Sequence, residues 1–326
     1  MSPYWPVGEL AFVITRKRTL CILWIGVCVS VILHFAIGNL RVKLRVSSSS
    51  HTVIPGPTMV SRKEIRRFRS SVNSIILAKN NIVLGERLTY SSIQREHFHI
   101  SAKLYNILPT TSSVVDRRHR SCSVVGNSGI ILGSGCGRRI DKAEYVYRCN
   151  AAPINPHVKD AGRKSNFVTF NRSIMHKRYG GLRTVQNRTK LKNEINGHNL
   201  IWLPVYSQPS IANSYITLAY LLRYFNIPVV VMHPTHMIET RRHWKKWGIN
   251  KIMSTGFYLV SVAIELCDEV QLYGFWPFTV SPRGKPVSYH YYDDLNFTTT
   301  HNFSAEFDVL VKLHELGVVE LNVDCH

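Results

Sequence analysis

From about Ser121 onward, short β-rich runs alternate with helical stretches, and this alternation constrains the fold more than any other feature of the chain. The runs Cys122–Val125, Tyr145–Cys149, Phe167–Phe170, Leu200–Leu203, Val229–Met232 and Val270–Tyr273 are rich in β-branched and aromatic residues. Between them, Tyr215–Phe225, Met237–Trp247 and Phe257–Cys267 read as helices. That order predicts an α/β fold with a mostly parallel central sheet covered by helices on both faces. Such sheets bind ligands outside the carboxyl ends of their strands, so function is expected in the turns that follow them. Hydrophobic residues make up 45% of the 326, enough to fill one core of this kind.

Residues 20–38 contain no Asp, Glu, Lys or Arg, and their length suits one membrane-spanning helix. A cleaved signal peptide, the alternative, normally has a shorter apolar core, although Ala36-Ile37-Gly38 loosely resembles a cleavage site. Flanking charge does not orient the segment, because Arg16, Lys17 and Arg18 on one side match Arg41, Lys43 and Arg45 on the other. The glycosylation sequons at Asn171, Asn187, Asn296 and Asn302 all follow it, as in a lumenal C-terminal portion. The expected organisation is a cytoplasmic tail over 1–19, a signal anchor over 20–38, a stem over 39–100 and a folded lumenal domain over 101–326. Within the stem, Ser61 and Glu64 form a capping pattern that predicts a helix over Ser61–Lys79. Five cysteines lie outside the apolar segment, with no C-x-x-C pair. They fit long-range disulfides in an oxidising compartment better than zinc or redox motifs. Lys and Arg number 41 against 20 acids, a net charge of +21 that implies an anionic partner or a basic solvated surface. The anchor and the sequons speak against nucleic acid.

The segment from Cys122 to Asp141 carries Gly126-Asn127-Ser128-Gly129 and then Gly133, Gly135 and Gly137. A strand entering a glycine-rich turn lets backbone approach a ligand closely, yet the spacing is neither a dinucleotide fingerprint nor a P-loop. Together with Tyr145–Asn150 and Lys164–Asn171, it resembles the large sialyl motif of animal sialyltransferases. The run His243–Gly248, Ser254-Thr255-Gly256 and Tyr273-Gly274-Phe275-Trp276-Pro277-Phe278 resembles the small sialyl motif. Tyr289-His290-Tyr291-Tyr292-Asp293 resembles the third motif, and His301 with Glu306 five residues on resembles the last. The wording of the second and third motifs is similar to the α2,8 branch of the family. Departures are few: Ser123, Arg139 and the pair Phe303-Ser304 differ from the usual residues.

The resemblance implies a GT-A-like variant nucleotide-binding fold and an inverting, metal-independent transfer from CMP-sialic acid to a sialylated glycolipid or glycoprotein. Asn127, Asn150 and Asn171 would hold the donor. Ser254, Thr255 and Gly256 would receive the sialic acid carboxylate, and Trp276 would pack along the nucleotide. His290 would contact the phosphate and His301 would be the general base. No D-x-D motif is present to carry a divalent ion under the phosphate, so no metal or other cofactor is expected. The disulfides would be Cys122–Cys267 and Cys136–Cys325, leaving Cys149 a buried thiol. Any glycan is expected at Asn187 and Asn296, because Asn171 and Asn302 fall within site segments. His243 and His314 read as structural histidines. The location would be the Golgi membrane, with a homodimer left open. Two alternatives stand beside this reading: an oligo- or polysialyltransferase, and a non-catalytic Golgi protein that binds sialosides or anionic glycans. Between Asn199 and Thr235 only Arg223 is basic, which speaks against a polymerising enzyme.

Overall fold

The structure is a computed structural model that describes residues 71–72, 74–296 and 300–325. The expected tail and membrane anchor, and most of the expected stem, lie outside them. Among the described residues, no helix is long and apolar enough to cross a membrane.

The strands, in chain order, are β1 (Ile76–Leu77), β2 (Arg87–Thr89), β3 (His97–His99), β4 (His119–Val125), β5 (Tyr145–Arg148), β6 (Phe167–Thr169), β7 (Ile201–Leu203), β8 (Val229–Met232), β9 (Cys267–Tyr273) and β10 (Glu320–Asn322). The helices are α1 (Ala102–Tyr105), α2 (Gly137–Lys142), α3 (Val158–Ala161), α4 (Arg172–Lys177), α5 (Val185–Ile195), α6 (Pro209–Tyr224), α7 (Pro234–Lys245), α8 (Thr255–Leu266) and α9 (Phe303–Glu315). Eight strands form one sheet in the order β1-β8-β7-β6-β5-β4-β9-β10, while β2 and β3 make a separate antiparallel ribbon. Every pairing in the large sheet is parallel except that of β1 with β8.

All three residues of β6 and of β7 are buried, the pattern of strands covered on both faces. Alternation along each strand divides the core. Phe167, Trp202, Val230 and Met232 join a cluster with α8 and α9, whereas Val168, Ile201, Leu203 and Val231 join one with α6. Pro209 and Pro234 stand at the first turns of α6 and α7, where a missing N–H costs nothing, so both helices begin earlier than their apolar periodicity suggests.

Three expectations need correction. Residues 76–79 are not the end of a stem helix. Ile76 and Leu77 are fully buried as an edge strand on β8, and Asn81 turns the chain by binding the Ala78 N–H and the Ile76 carbonyl. An unbroken Ile75-Ile76-Leu77 run has no polar face to give to solvent. The folded domain therefore begins upstream of residue 101: Phe98 of β3 also stacks on Tyr206 with centroids 3.5 Å apart. Cys267, expected to end a helix, opens β9 instead, where Arg118 reaches Asp268 and the Cys122–Cys267 disulfide fixes the strand to β4. The second bridge joins Cys136 to Cys325 across 189 residues, and Cys149 is free and buried, as the resemblance implies.

Candidate active site

Strands β4 through β8 progress to one side of β4, and the chain then returns to place β9 on its other side. The carboxyl ends of β4 and β9 therefore flank the topological switch point, where a crevice opens. Gly126 follows β4 and Gly274 follows β9. A Cβ on Gly126 would meet the Gly274 carbonyl oxygen at 2.5 Å, so only glycine allows the two turns to touch. Gly274 also has φ +69, the left-handed region that glycine adopts without strain.

A cavity of about 600 Å3 opens at this point. Asn127, Asn150, Asn171, Ser254, Thr255, Gly256, Trp276, His290 and His301 all line it. Nine residues spread over more than half of the sequence thus meet in one space. Asn127 donates to the Tyr292 hydroxyl at 3.0 Å, while its own Oδ1 is buried and unpartnered among the described residues. The Tyr292 ring lies beneath the Arg178 guanidinium, 5.1 Å from its centroid, and Arg178 is in turn paired with Glu194. Asn150 holds φ +56 at the end of β5, and its N–H is fixed by the Thr169 hydroxyl at 3.0 Å. Left-handed backbone at a non-glycine residue is uncommon and clusters at functional sites. Asn171 caps α4 by accepting from the Ile174 N–H.

Ser254 caps α8 by accepting from the Phe257 N–H. Its own N–H and hydroxyl both donate to the Glu306 carboxylate, each at 2.6 Å. Glu306 is 5% exposed, and burial pushes its carboxyl up to about 7 against the pull of those two hydrogen bonds. The first turn of α8 beyond Ser254, Thr255 and Gly256, carries the backbone N–H groups that a helix start leaves free for an anion. Gly256 admits the neighbouring Cys149 sulfur and Phe275 ring. Burial first, and the Glu306 charge second, raise the Cys149 thiol to about 12, so it stays protonated.

The two histidines are held differently. His290 is buried, and its Nδ1 donates to both oxygens of Asp293, at 2.9 and 3.0 Å. Its ring is stacked against those of Tyr289 and Tyr292. Burial lowers its pKa despite the Asp293 pairing, which acts the other way. His301 sits just before α9, with Nδ1 2.8 Å from the Ile252 carbonyl oxygen. A carbonyl oxygen can only accept, so Nδ1 carries the hydrogen and Nε2 of a neutral ring keeps its lone pair.

Trp276 is 4% exposed, donates its indole N–H to the Val280 carbonyl and packs edge-on against Phe307. It is both a wall of the cavity and part of the packing that seats α9. Of the glycan positions, Asn187 is half-buried on α5 and Asn296 is exposed at the cavity. His243 and His314 do not line the cavity. The sequence reading assigned no role to Glu306 or Asp293, although both stand inside the motifs beside His301 and His290. Arg241, which also lines the cavity, was missed: nothing marks it in the sequence except its place one turn after Met237 on α7.

An open, mostly parallel sheet with a cavity at its switch point, lined by apolar side chains together with Arg172, Lys177, Arg241 and two fixed histidines, is the outline of a transferase. The chain belongs to the family described as glycosyltransferase family 29 (sialyltransferase), whose model matches residues 76–318. It is 34% identical to the alpha-N-acetylneuraminide alpha-2,8-sialyltransferase of Bos taurus over 270 residues, covering 81% of this chain and 76% of that one. A mammalian sialyltransferase crystallised with Gal-beta-1-3GalNAc-ortho-nitrophenol shares the fold, with a TM-score of 0.53 and 19% identity. That match covers 84% of this chain and all of the other. A second mammalian sialyltransferase structure gives the same TM-score at 20% identity, covering 82% and 96% of the two chains.

Proposed function

We propose that this sialyltransferase transfers sialic acid from CMP-sialic acid, with inversion, onto a terminal sialic acid in α2,8 linkage on a glycolipid or glycoprotein glycan. The observation that carries the chemistry is the His301–Ile252 contact, which fixes the hydrogen of a neutral ring on Nδ1 and leaves the Nε2 lone pair to act as a base. In the reaction the acceptor O–H gives its proton to Nε2 and the oxygen bonds to the anomeric carbon. The bond from that carbon to the phosphate oxygen breaks, and its electron pair leaves with CMP. His290, oriented by Asp293, stabilises the departing phosphate, and Lys177 on α4 adds positive charge beside it. Asn127 and Asn150 hold the nucleotide, and the Ser254-Thr255-Gly256 turn receives the donor carboxylate. The sialic acid's own carboxylate helps to bear the oxocarbenium character of the transition state.

Glu306, the one carboxylate among the described residues lining the cavity, is committed to Ser254, and Asp293 to His290. Neither is available as a ligand, which supports a metal-independent reaction in which cationic and N–H groups stabilise the phosphate. The apolar segment over 20–38 and the sequons after it support a single-pass type II protein of the Golgi membrane with its catalytic domain in the lumen. Of the two expected glycan sites, Asn296 is the more exposed but lines the cavity, whereas Asn187 is half-buried and lies outside it.

The linkage rests on the motif wording and the 34% likeness to the bovine α2,8 relative. Its test is transfer to one glycan before and after sialidase treatment, run in EDTA. Transfer is expected to vanish once the terminal sialic acid is removed, without shifting to galactose and without loss from chelation. Equal transfer to the asialo acceptor overturns the linkage. Activity lost in EDTA and restored by Mn²⁺ overturns metal independence.

A further inference from the structure

The cavity is longer than the donor residues account for. The groups assigned to CMP-sialic acid lie beyond β4, β5 and β9 and on the first turn of α8. The space continues over β7 and β8, where Trp202, Met232, Ser207 and Gln208 line it. Ser91 and Ser92 close that end. Their N–H groups bond to the Tyr206 and Ser207 carbonyls, at 3.0 and 2.8 Å, which ties the N-terminal ribbon to the turn after β7.

One group there is out of place in a structural role. Arg241 on α7 faces the cavity one helical turn after Met237, which also lines it. Its guanidinium is half-buried and donates once, from Nη1 to the Ser91 carbonyl at 3.0 Å. It forms no ion pair with any described carboxylate, and burial alone lowers its pKa. A guanidinium has five N–H donors in a planar fork, so several remain for a ligand, and the fork matches a carboxylate. The indole N–H of Trp202, which also lines the cavity, is buried without a partner among the described residues. Arg172 and Lys177, the other described cations lining the cavity, are exposed on α4, where water weakens their pull.

We propose that Arg241 is a specificity-determining residue: its guanidinium pairs with the carboxylate of the sialic acid that terminates the acceptor. The inference rests on the α2,8 reading above and supplies what that reading lacks, a counter-charge for a second carboxylate away from the Ser254 turn. An acceptor ending in galactose leaves this half-buried cation unpaired, so the site selects against it.

The test compares an acceptor ending in sialic acid with its methyl ester, in which the carboxylate charge is gone. In the wild-type enzyme the ester should raise the acceptor KM by about 10–100-fold, the range of a lost charge-assisted hydrogen bond. Arg241→Gln should raise the KM of the free acid by a similar factor and use acid and ester equally, and Arg241→Lys should fall between. Donor KM, and slow donor hydrolysis without acceptor, should stay at wild-type values in both variants. If the wild type uses the ester as well as the acid, Arg241 has no such role, while transfer to sialic acid stands. A variant that loses acid and ester activity in parallel marks Arg241 as merely a tie to Ser91. Should Arg241→Gln fail to fold, Arg241→Lys and the wild-type ester comparison together still decide. Only transfer to an asialo acceptor would defeat the α2,8 reading itself.

Discussion

The two halves of the cavity are built on opposite plans. Over β4, β5 and β9, most polar groups are already held by the protein: Ser254 by Glu306, His290 by Asp293 and Asn150 by Thr169, while Asn127 gives its amide N–H to Tyr292 and keeps Oδ1 unpartnered. Over β7 and β8, Arg241 has one partner and the Trp202 N–H has none. The first half is preorganised, as electrostatic catalysis on the proposed donor requires. The second keeps hydrogen-bonding capacity in reserve for whatever glycan arrives. His301, tied to the Ile252 carbonyl, is the base proposed to act between them.

The largest effect should come from that base. His301→Ala removes the base and should cut turnover by about 10²–10⁴-fold. Donor KM and acceptor KM should both hold, because neither half loses a binding group. Isothermal titration with CMP and steady-state kinetics check this directly. A variant with normal turnover would remove the base from His301 and erase the division drawn at it.

Asp293→Asn probes the donor half alone. The amide keeps the shape but withdraws the negative charge that favours a protonated His290, the form in which Nδ1 binds residue 293 while Nε2 donates to the leaving phosphate. Losing a hydrogen bond to a charged group costs about 1.5–3 kcal/mol, which is about 10–100-fold in kcat. The acceptor KM should not change. If the acceptor KM moves as much as kcat, the halves are coupled and the comparison fails.

The same division decides what could be read from the sequence. The donor half is written in contiguous runs: a strand, its turn and the next helix start, each spelling its residues side by side, as in Cys122–Gly129 or Ser254–Gly256. The sheet was legible for the same reason, since runs such as Val229–Met232 declare themselves by composition. The acceptor half is assembled from Ser91, Trp202, Ser207 and Arg241, which share no local pattern and meet only through tertiary packing. The strand at Ile76–Leu77 was missed for a related reason: two residues are too few for a period, and only their burial against β8 makes them a strand. Glu306 lay in plain sight five residues after His301, yet its partner Ser254 is 52 residues away.

Glu306 supplies the smallest effect and the sharpest contrast between the halves. Its carboxyl titrates near 7 in the folded chain, against 4.5 when exposed, because burial disfavours the charge. A raised carboxyl pKa means that the folded state keeps a proton the unfolded chain has lost. The associated stability is full below about 4.5 and is lost as pH rises through 7, on the order of 3 kcal/mol in all. Donor binding runs the other way. Ionised Glu306 accepts from both Ser254 donors and sets the carboxylate turn, whereas the protonated acid needs one oxygen as a donor itself and disturbs that pair. Between pH 6 and 8, donor KM should therefore fall about threefold while thermal stability falls as well, a small change for one altered hydrogen bond. Arg241 stays charged throughout, so acceptor KM should be flat over the same range. Glu306→Gln should flatten both the donor and the stability profiles, since the amide does not titrate. A donor profile that keeps its slope in Glu306→Gln would assign the titration to another group and leave the Ser254 turn independent of pH.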